Sequence, residues 1–306
     1  MDGILVVDKP AGPTSHDVVD RVRRAIGIRR VGHTGTLDPL ATGVLPLVVG
    51  RATRLAQFLT ATDKTYEAAI RLGVATDTYD STGRMTGPRA HAPGGTPPAS
   101  GAVVDRAALE SALMGFVGTY RQAPPPFSAK KVDGVRAYER ARQGAPVEPA
   151  AVDVTVRALA IESFDGSLVK IRVTCGPGFY VRALAHALGE RLGVGAHLEA
   201  LRRTSSGGFD EHQAVRLDTI EQEGASALRR LLAPADGLLH LPVVTLTAEG
   251  VRRAGHGAVL AAGDLVEPAG PLAPGPVRLV GPDGRLVAVA RAGPDSGSLH
   301  PFVVMG

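Results

Sequence analysis

The hydrophobic pattern of the N-terminal part predicts short strands alternating with helices. GILVVDKP is typical of a buried strand that Pro10 stops, and an amphipathic helix follows and ends at Gly27. The apolar positions of that helix keep helical spacing: Val18, Val19, Val22 and Ile26. We expect Ser15 to cap the helix. LPLVVG then predicts a strand and ATRLAQFL a helix, whereas KTYEAAIRLG alternates with the period of two that a strand shows.

The middle of the chain mixes helices and strands in the same way. Helices are predicted in DRAALESALMGF, FYVRALAHALGERLG and DTIEQEGASALRRLL, and strands in AVDVTVRALAIESF and SLVKIRVTC. RQAPPPFSAKKVDGVRAYERARQG combines an extended proline run with a basic helical segment. Residues 86–101 are rich in Pro, Gly and Ala, which is typical of a low-complexity insert.

The pattern changes after about residue 240. Short Val/Leu runs are cut there by Gly and Pro, as in GPVRLVG and GRLVAVARA, and this texture predicts a small β domain. We therefore expect one domain over residues 1–240, which includes the insert, and a second over residues 241–306.

Composition describes a folded protein without a membrane span. The 306 residues are 44% hydrophobic and 21% charged, and no apolar run reaches the roughly 18–20 residues that cross a bilayer. The N-terminus MDGILVVDKP lacks the features of a signal peptide. We expect a cytoplasmic protein with no membrane partner.

The single cysteine, Cys175, excludes an intramolecular disulfide and a zinc site made of several thiolates. It lies in an apolar alternating run, which favours a buried side chain over a reactive thiol. The nine histidines show no HExxH or similar spacing, so no metal is expected. No GxxxxGK[ST] loop or GxGxxG after a strand indicates a nucleotide cofactor.

The net charge of +4 suits an RNA partner but does not require one. Arginine supplies most of the cations, and only five lysines occur: Lys9, Lys64, Lys130, Lys131 and Lys170. A lysine retained in an Arg-rich chain is therefore of interest, and four of the five fall in the motifs described below.

The segment GHTGTLDPLATGVL, residues 32–45, predicts an ordered loop that holds a carboxylate. Pro39 biases Asp38 away from the helical region and sets the direction of the chain after it. Asp38 could act as a nucleophile or a base, or it could cap the turn, and local features leave both interpretations open. Ser15, His16 and Asp17 point in different directions at a helix start and form no triad. No second acid or nucleophile elbow lies nearby.

GHTGTLDPLATGVLPLVVG, preceded by VDKPAGPTSHDVV, closely resembles the bacterial TruB family, the tRNA pseudouridine 55 synthases. The resemblance continues in order through KTYEAAIRLGVATDTYDSTG, PPPFSAKKVDGVRAYERARQG and CGPGFYVRALAHALGERLGVGAHLEALRRTSSG. Four ordered blocks over about residues 3–210 make this resemblance specific. It implies an α/β (α+β) fold with a mixed, mostly antiparallel central sheet and a small C-terminal PUA-like RNA-binding domain.

The resemblance implies a catalytic role for three residues. Asp38 matches the aspartate that drives cleavage of the glycosidic bond of a flipped uridine, whether by attack on the anomeric carbon, on carbon 6 or through a glycal. Tyr66 matches the tyrosine that stacks on the flipped base, although a strand aromatic is the plain alternative. Arg182 matches the arginine that pairs with the aspartate and keeps it ionised, whereas taken alone it would be a solvated helix residue.

Further residues match substrate-binding positions of the family. His33 matches the histidine that occupies the space vacated in the T loop, Tyr180 a pocket residue, and Leu201 an apolar wall of the uracil pocket. Lys9 and Lys130 fall in stretches that line the cleft, and support of the active-site loop is an equal alternative for Lys9. Arg202 and Arg203 suit contacts with RNA phosphates.

The function that the resemblance implies is isomerisation of uridine 55 in the T loop of tRNA without a cofactor. The implied partner is the tRNA T stem-loop, recognised mainly by shape, with no guide RNA, and we expect a monomer. Two alternatives remain. One is a non-catalytic RNA-binding protein, which would have no reason to keep Asp38, Tyr66 and Arg182 together. The other is a guide-RNA-dependent synthase, against which the continuous bacterial-type blocks argue.

Overall fold

A computed structural model describes the greater part of the chain. The described residues are 1–86, 104–127, 150–267, 275–293 and 297–305, together with the backbone of two short strands at 131–132 and 135–136. They fall into two compact units. The first comprises residues 1–39, 43–61 and 206–306, and the second residues 40–42 and 62–205.

The helices and strands follow the mixture that the sequence predicts. The described α-helices are α1 Ser15–Ile26, α2 Ala56–Thr60, α3 Arg106–Met114, α4 Val181–Leu192, α5 Leu217–Glu223 and α6 Ala248–Gly255. The strands are β1 Gly3–Lys9, β2 Val31–His33, β3 Thr42–Val49, β4 Lys64–Leu72, β5 Ala75–Thr76, β6 Met85–Thr86, β7 Gly118–Gln122, β8 Lys131–Val132, β9 Val135–Arg136, β10 Val152–Phe164, β11 Leu168–Cys175, β12 Ala196–Ser206, β13 Phe209–Asp210, β14 Val215–Arg216, β15 Val243–Thr245, β16 Val277–Val280, β17 Leu286–Ala292 and β18 Leu299–Val304.

In the first unit, β1 lies between β3 and β14. It pairs antiparallel with β3, from Gly3 opposite Val49 to Lys9 opposite Gly43, and parallel with β14. Strand β2 pairs antiparallel with the other edge of β3. Residues 4–7 of β1 are at most 1% exposed, so this strand is buried on both faces, as its unbroken apolar run predicts.

Helix α1 has its apolar face where the sequence predicts it. The buried positions are Val18, Val19, Val22 and Ile26, and each fully buried side chain of this size contributes roughly 1.5–3 kcal/mol. The helix ends at Gly27, whose φ of 71° suits a residue without Cβ, and its N–H donates to the carbonyl of Arg23.

The predicted cap of this helix is wrong by one residue. Thr14, not Ser15, is the N-cap: its side chain accepts from the N–H of Asp17, and the Asp17 carboxylate accepts from the N–H of Thr14. This reciprocal capping box leaves Ser15 inside the helix, where it is fully buried and bonds elsewhere. The two adjacent hydroxyl residues could not be told apart from sequence alone, because both types are favoured caps.

The second unit contains a sheet in the order β12–β4–β11–β10–β7. The pairs β4–β11, β11–β10 and β10–β7 are antiparallel. Along β4 buried and half-buried residues alternate without interruption, which confirms the period of two in KTYEAAIRLG. Together with the parallel pair in the first unit, this pairing confirms the predicted mixed, mostly antiparallel fold.

The C-terminal residues form a separate four-stranded sheet in the order β15–β16–β17–β18. Its pairs are antiparallel except β15–β16, which is parallel. One apolar cluster of the first unit includes residues of β1, of β3 and of this sheet, with Val289, Val303 and Met305 among its members. The sheet confirms the predicted small C-terminal β structure, while its PUA-like character and the division at residue 240 stay predictions.

Some local expectations differ from the structure. ATRLAQFL begins in a 3-10 segment over Gly50–Leu55, and α2 follows it. The segment AHLEALRRTSS forms β12, for which the sequence analysis gave no element. The basic segment after the proline run contains the antiparallel pair β8–β9 where a helix was expected. From residue 87 onward the predicted insert at 86–101 lies outside the described residues.

Within the described part of the chain, no helix is long and apolar enough to cross a bilayer.

Candidate active site

Asp38 lies in the first unit, in the loop between β2 and β3. Asp38 itself is half-buried, and its two neighbours are held by hydrogen bonds. Before it, the Leu37 N–H donates to the Ser15 hydroxyl at 2.8 Å, and that hydroxyl donates to the Leu37 carbonyl at 3.1 Å. After it, the Pro39 carbonyl accepts from the Gly12 N–H at 2.8 Å. The backbone on both sides of the carboxylate is therefore fixed.

Lys9 completes this support from the end of β1. Its side chain is fully buried, and the ammonium donates to the carbonyls of Pro10 at 2.9 Å and Pro39 at 3.3 Å. A buried ammonium needs such acceptors, because burial without them would cost several kcal/mol. Of the two roles left open for Lys9, these contacts favour support of the Asp38 loop over contact with RNA.

His33 ends β2 and lies edge to face against His16, with 5.1 Å between the ring centroids. The side chains on either side of His16 form hydrogen bonds with other residues. The Ser15 hydroxyl bonds the backbone of Leu37, and the Asp17 carboxylate accepts from the N–H and hydroxyl of Thr14. Those bonds lower the pKa of Asp17 below its usual value. The prediction that Ser15, His16 and Asp17 form no triad is confirmed. The substrate role of His33 stays a prediction.

Arg182 lies in the second unit, in the first turn of α4, and is only 4% exposed. Its guanidinium donates through Nη1 to the Thr78 carbonyl and through Nη2 to the Phe127 carbonyl, both at 3.0 Å. The Asp80 carboxylate lies 3.7 Å from Nη1. Arg182 is therefore a buried, oriented cation, which excludes the alternative of a solvated helix residue.

Asp80 is a residue of this site that the sequence analysis missed. It is 4% exposed, and its Oδ1 accepts from the Thr78 hydroxyl, the Thr82 hydroxyl and the Thr82 N–H at 2.6–3.0 Å. The only signal in the sequence was an aspartate among threonines and glycines in TDTYDSTG, which equally describes a solvated turn. Nothing in that pattern reveals the charged partner 102 positions further along the chain.

Tyr180 and Gln122 fix the start of α4. The Tyr180 N–H donates to Gln122 Oε1 at 2.9 Å, and Gln122 Nε2 returns a bond to the Tyr180 carbonyl at 3.1 Å. Gln122 is buried at the end of β7, so this exchange anchors the helix that carries Arg182 to the sheet. Tyr180 is half-buried, and its predicted place in the substrate pocket stays a prediction.

Tyr66 and Leu201 are both buried in the second unit. Tyr66 is 8% exposed on β4 opposite Val173, and Leu201 is 7% exposed on β12, where its carbonyl accepts from the Thr42 hydroxyl at 3.4 Å. These positions suit an apolar wall, and they also suit an ordinary core. The roles of both residues toward uracil stay predictions.

A buried basic cluster lies on β4 and β12. Burial, followed by the charge of Arg203, lowers the pKa of Lys64 to about 8. Cys175 is buried beside the Lys64 carbonyl, and desolvation raises the pKa of its thiol to about 12, so the expectation of a buried rather than reactive cysteine is confirmed. Arg203 is only 1% exposed. This burial favours a structural role over the predicted contact of Arg203 with RNA phosphates, which stays a prediction.

The predicted roles of two other residues, Arg202 and Lys130, stay predictions. Arg202 precedes Arg203 and is half-buried, so its contact with phosphate stays a prediction. Lys130 lies outside the described residues. No group of three or more His, Cys, Asp or Glu side chains that could hold a metal ion occurs among the residues that the structure describes.

Two family models match this chain. The N-terminal domain of the TruB family pseudouridylate synthase matches residues 23–181, and the C-terminal domain of tRNA pseudouridylate synthase B matches residues 182–240. The tRNA pseudouridine synthase B of Thermobifida fusca (strain YX) is 46% identical over 312 residues, which is 99% of this chain and 98% of that protein. The chain belongs to the TruB family. The protein of the same name from Geobacter sulfurreducens is 42% identical and covers 95% of this chain and 93% of its own length.

The TruB family fold also occurs in larger RNA–protein complexes. A chain of the archaeal box H/ACA sRNP Nop10–Cbf5 complex superposes with a TM-score of 0.69 at 28% identity, over 95% of this chain and 78% of its own. A chain of an H/ACA RNP bound to a substrate RNA containing 2′-deoxyuridine gives a TM-score of 0.74 at 25% identity, over 99% and 85%. The predicted family and fold are thereby confirmed.

The two TruB family models divide the candidate residues. Asp38, Tyr66 and Asp80 fall within the N-terminal model, and Arg182 and Leu201 within the C-terminal one. Residues 241–306 lie beyond both models, which agrees with the weaker resemblance of this part at the level of motifs. The whole-length similarity to the Thermobifida fusca protein nevertheless extends through it.

Proposed function

We propose that this chain is a tRNA pseudouridine 55 synthase, an isomerase that acts on a uridine in the T loop. The observation that carries the proposal is the similarity, at 42–46% identity over 95–99% of the chain, to bacterial proteins named tRNA pseudouridine synthase B. The fixed loop around Asp38 and the buried Arg182 supply the charged groups that such a reaction needs.

The reaction breaks the N1–C1′ bond of uridine and forms a C5–C1′ bond in its place. One proton leaves C5 and one is gained at N1, so the atoms balance without an external reactant. In this proposal Asp38 drives cleavage, and its fixed backbone neighbours hold the carboxylate in one position. Arg182 supplies the positive charge that keeps the carboxylate ionised, and Tyr66 stacks on the flipped uracil.

The substrate of this proposal is the folded T stem-loop of tRNA. His33, Tyr180 and Leu201 would shape the pocket, and RNA would be recognised by shape more than by sequence. The exposed arginines around the end of α1 suit phosphate contacts better than the buried Arg203 does: Arg24, Arg29 and Arg30. Affinity should then fall steadily as salt rises, and a flat salt dependence would contradict phosphate contacts.

We propose that the enzyme works without a guide RNA, as a cytoplasmic monomer, with residues 241–306 as a PUA-like RNA-binding module. Identity to the bacterial relatives is far higher than the 25–28% shared with chains of the H/ACA complexes. Pseudouridine formation on a bare tRNA transcript, with no other RNA or protein, tests this point. A strict requirement for a second RNA would overturn it.

The decisive experiment compares wild type with Asp38→Asn on a tRNA transcript in which pseudouridine is mapped at each position. We expect wild type to modify the T-loop uridine and Asp38→Asn to form no product, because the amide cannot supply the negative charge. Binding of the transcript, measured by fluorescence anisotropy, should stay within about threefold, since phosphate contacts dominate affinity.

Asp20→Asn is a matched control. Asp20 is an exposed aspartate of α1 paired with Arg23 at 2.9 Å, and its loss should leave turnover unchanged. Turnover retained in Asp38→Asn would remove Asp38 from the chemistry. Binding without any turnover in wild type would instead favour a non-catalytic RNA-binding protein.

A further inference from the structure

The ring of Tyr79 stacks flat on the ring of His186. Their centroids are 3.8 Å apart and the ring planes differ by 8°. Tyr79 lies in the loop between β5 and β6, and His186 lies on α4, four residues after Arg182 and so on the same side of the helix. The stack therefore joins this loop to the helix that carries the buried cation.

Tyr79 has an unusual backbone conformation. Its φ is 65°, and no other non-glycine residue in the described part of the chain has a positive φ. A residue with a Cβ adopts this conformation at a cost and keeps it where its surroundings impose it. Here the Tyr79 carbonyl accepts from the Leu198 N–H at 2.9 Å, its N–H donates to the Thr76 carbonyl at 3.2 Å, and its ring lies against His186.

The two residues that flank Tyr79 hold Arg182. Thr78 supplies the carbonyl that accepts from the guanidinium at 3.0 Å, and Asp80 supplies the carboxylate at 3.7 Å. These two groups face the same nitrogen of Arg182, and the residue between them is Tyr79, with its positive φ. A change in the conformation of Tyr79 is therefore expected to move one group relative to the other.

Building on the proposed function, we propose that the Tyr79–His186 stack is a positioning device for Arg182 in pseudouridine formation. It holds Tyr79 in its left-handed conformation and so keeps the Thr78 carbonyl and the Asp80 carboxylate against the guanidinium. The two rings touch neither RNA nor the reacting atoms in this proposal. They act through Arg182, whose orientation must be kept for turnover.

In this proposal the contact between the two rings, and not the charge of the imidazole, positions Arg182. His186 Nε2 lies 3.4 Å from Glu190 Oε1, but the Glu190 side chain is 54% exposed, and such pairs contribute little. His186 also borders a cavity of about 650 Å³. A phenylalanine, which is larger than histidine, can therefore replace it while the stack is kept.

The experiment measures kcat and KM on a tRNA transcript for His186→Ala, Tyr79→Ala, His186→Phe, Tyr79→Phe and Glu190→Gln, with the thermal midpoint of each. We expect the two alanine variants to lose at least about tenfold in kcat, because small misplacements of a charged group are costly, while KM changes little. The two phenylalanine variants should recover kcat to within about threefold of wild type, because the ring contact remains. Glu190→Gln should match wild type.

A folded His186→Ala enzyme with wild-type kcat would overturn the proposal. The proposal would also be overturned if a Phe variant lost as much kcat as the corresponding Ala variant. The same holds if Glu190→Gln lost as much kcat as His186→Ala, because the effect would then come from the imidazole or its ion pair. If the alanine variants do not fold, the phenylalanine variants and Glu190→Gln still decide between the ring and the charge.

A crystal structure of Tyr79→Phe and of His186→Ala separates this inference from the proposed function. We expect the Arg182 guanidinium to keep its contact with the Thr78 carbonyl in Tyr79→Phe and to lose it in His186→Ala. Failure of wild type to make pseudouridine would overturn the function, whereas an unmoved Arg182 in His186→Ala would overturn the positioning role.

Discussion

Asp38 and Arg182 are held in two different ways. Hydrogen bonds hold the backbone of Leu37 and Pro39, the two neighbours of Asp38, and Asp38 is half-buried. Around Arg182 the contacts go to the side chain, which two carbonyls and one carboxylate surround in a buried position. These hydrogen bonds thus fix the backbone on both sides of Asp38, and they fix the side chain of Arg182.

Apart from Asp38, which carries the reacting carboxylate in our proposal, we expect the largest effects from the buried cation. Arg182→Met should lower kcat by at least about a hundredfold through loss of oriented charge, and it should cost about 3–5 kcal/mol of stability because the buried Asp80 loses its partner. Turnover and urea unfolding of the purified variant measure the two losses.

A double variant provides the control for this prediction. Adding Asp80→Asn to Arg182→Met should recover part of the lost stability, since the unpaired carboxylate is removed. If the two single substitutions had strictly additive effects on the free energy of unfolding, Asp80 and Arg182 would not be coupled. The view that Asp80 stabilises the buried Arg182 side chain would then be wrong.

The support of the Asp38 loop should respond differently. Lys9→Met removes two hydrogen bonds to backbone carbonyls and should cost about 1–3 kcal/mol, with a loss of kcat that follows from disorder of the loop. Affinity for a tRNA transcript should stay near that of wild type if Lys9 serves the loop. A variant of unchanged stability but much weaker RNA binding would reverse the assignment.

Lys64 offers a test in which pH is the variable. Burial lowers its pKa from 10.5 to about 8, so between these values the unfolded chain binds this proton more tightly than the folded one. The stability of wild type relative to Lys64→Met should therefore rise as pH increases from 8 to 10.5, and the penalty should be fully present below pH 8. Urea unfolding of both proteins across this range measures it, and a constant difference would contradict the burial of the charged amine.

We expect the smallest effects from substitutions of the two adjacent hydroxyl residues, Thr14 and Ser15. Thr14→Ala removes the capping box and should cost about 1 kcal/mol of stability without changing kcat, because its contacts stay at the helix end. Ser15→Ala breaks both bonds to Leu37 and should lower kcat as well. Equal kcat in the two variants would show that the anchor before Asp38 is dispensable. Thermal unfolding and turnover of the pair provide the comparison.

Sequence predicted those parts of the molecule in which local pattern determines structure. The buried face of α1, the alternation of β4 and the burial of Cys175 each follow from spacing or from apolar neighbours. Asp38 stands out in the sequence because Gly, Thr and Pro surround it, and its proposed role rests on the order of the motifs.

Contacts between distant segments were beyond such reasoning. Asp80 gives no local sign that it will meet Arg182, and the motif around Arg203 does not show that this side chain is buried on β12. The same holds for the Tyr79–His186 stack, which joins two segments more than a hundred residues apart. Charged and aromatic side chains acquire their partners only when the sheet and helix are assembled.

The burial of Cys175 has a practical consequence for studying the motions of this protein. The thiol of Cys175 has a pKa of about 12 and is buried where β11 pairs with β4. It therefore does not react with alkylating reagents while the sheet is closed. The rate at which a maleimide labels this thiol therefore reports the rate of transient openings of the sheet, and no cysteine has to be introduced into the protein. Because the chain has no second cysteine, every captured label reports that one event.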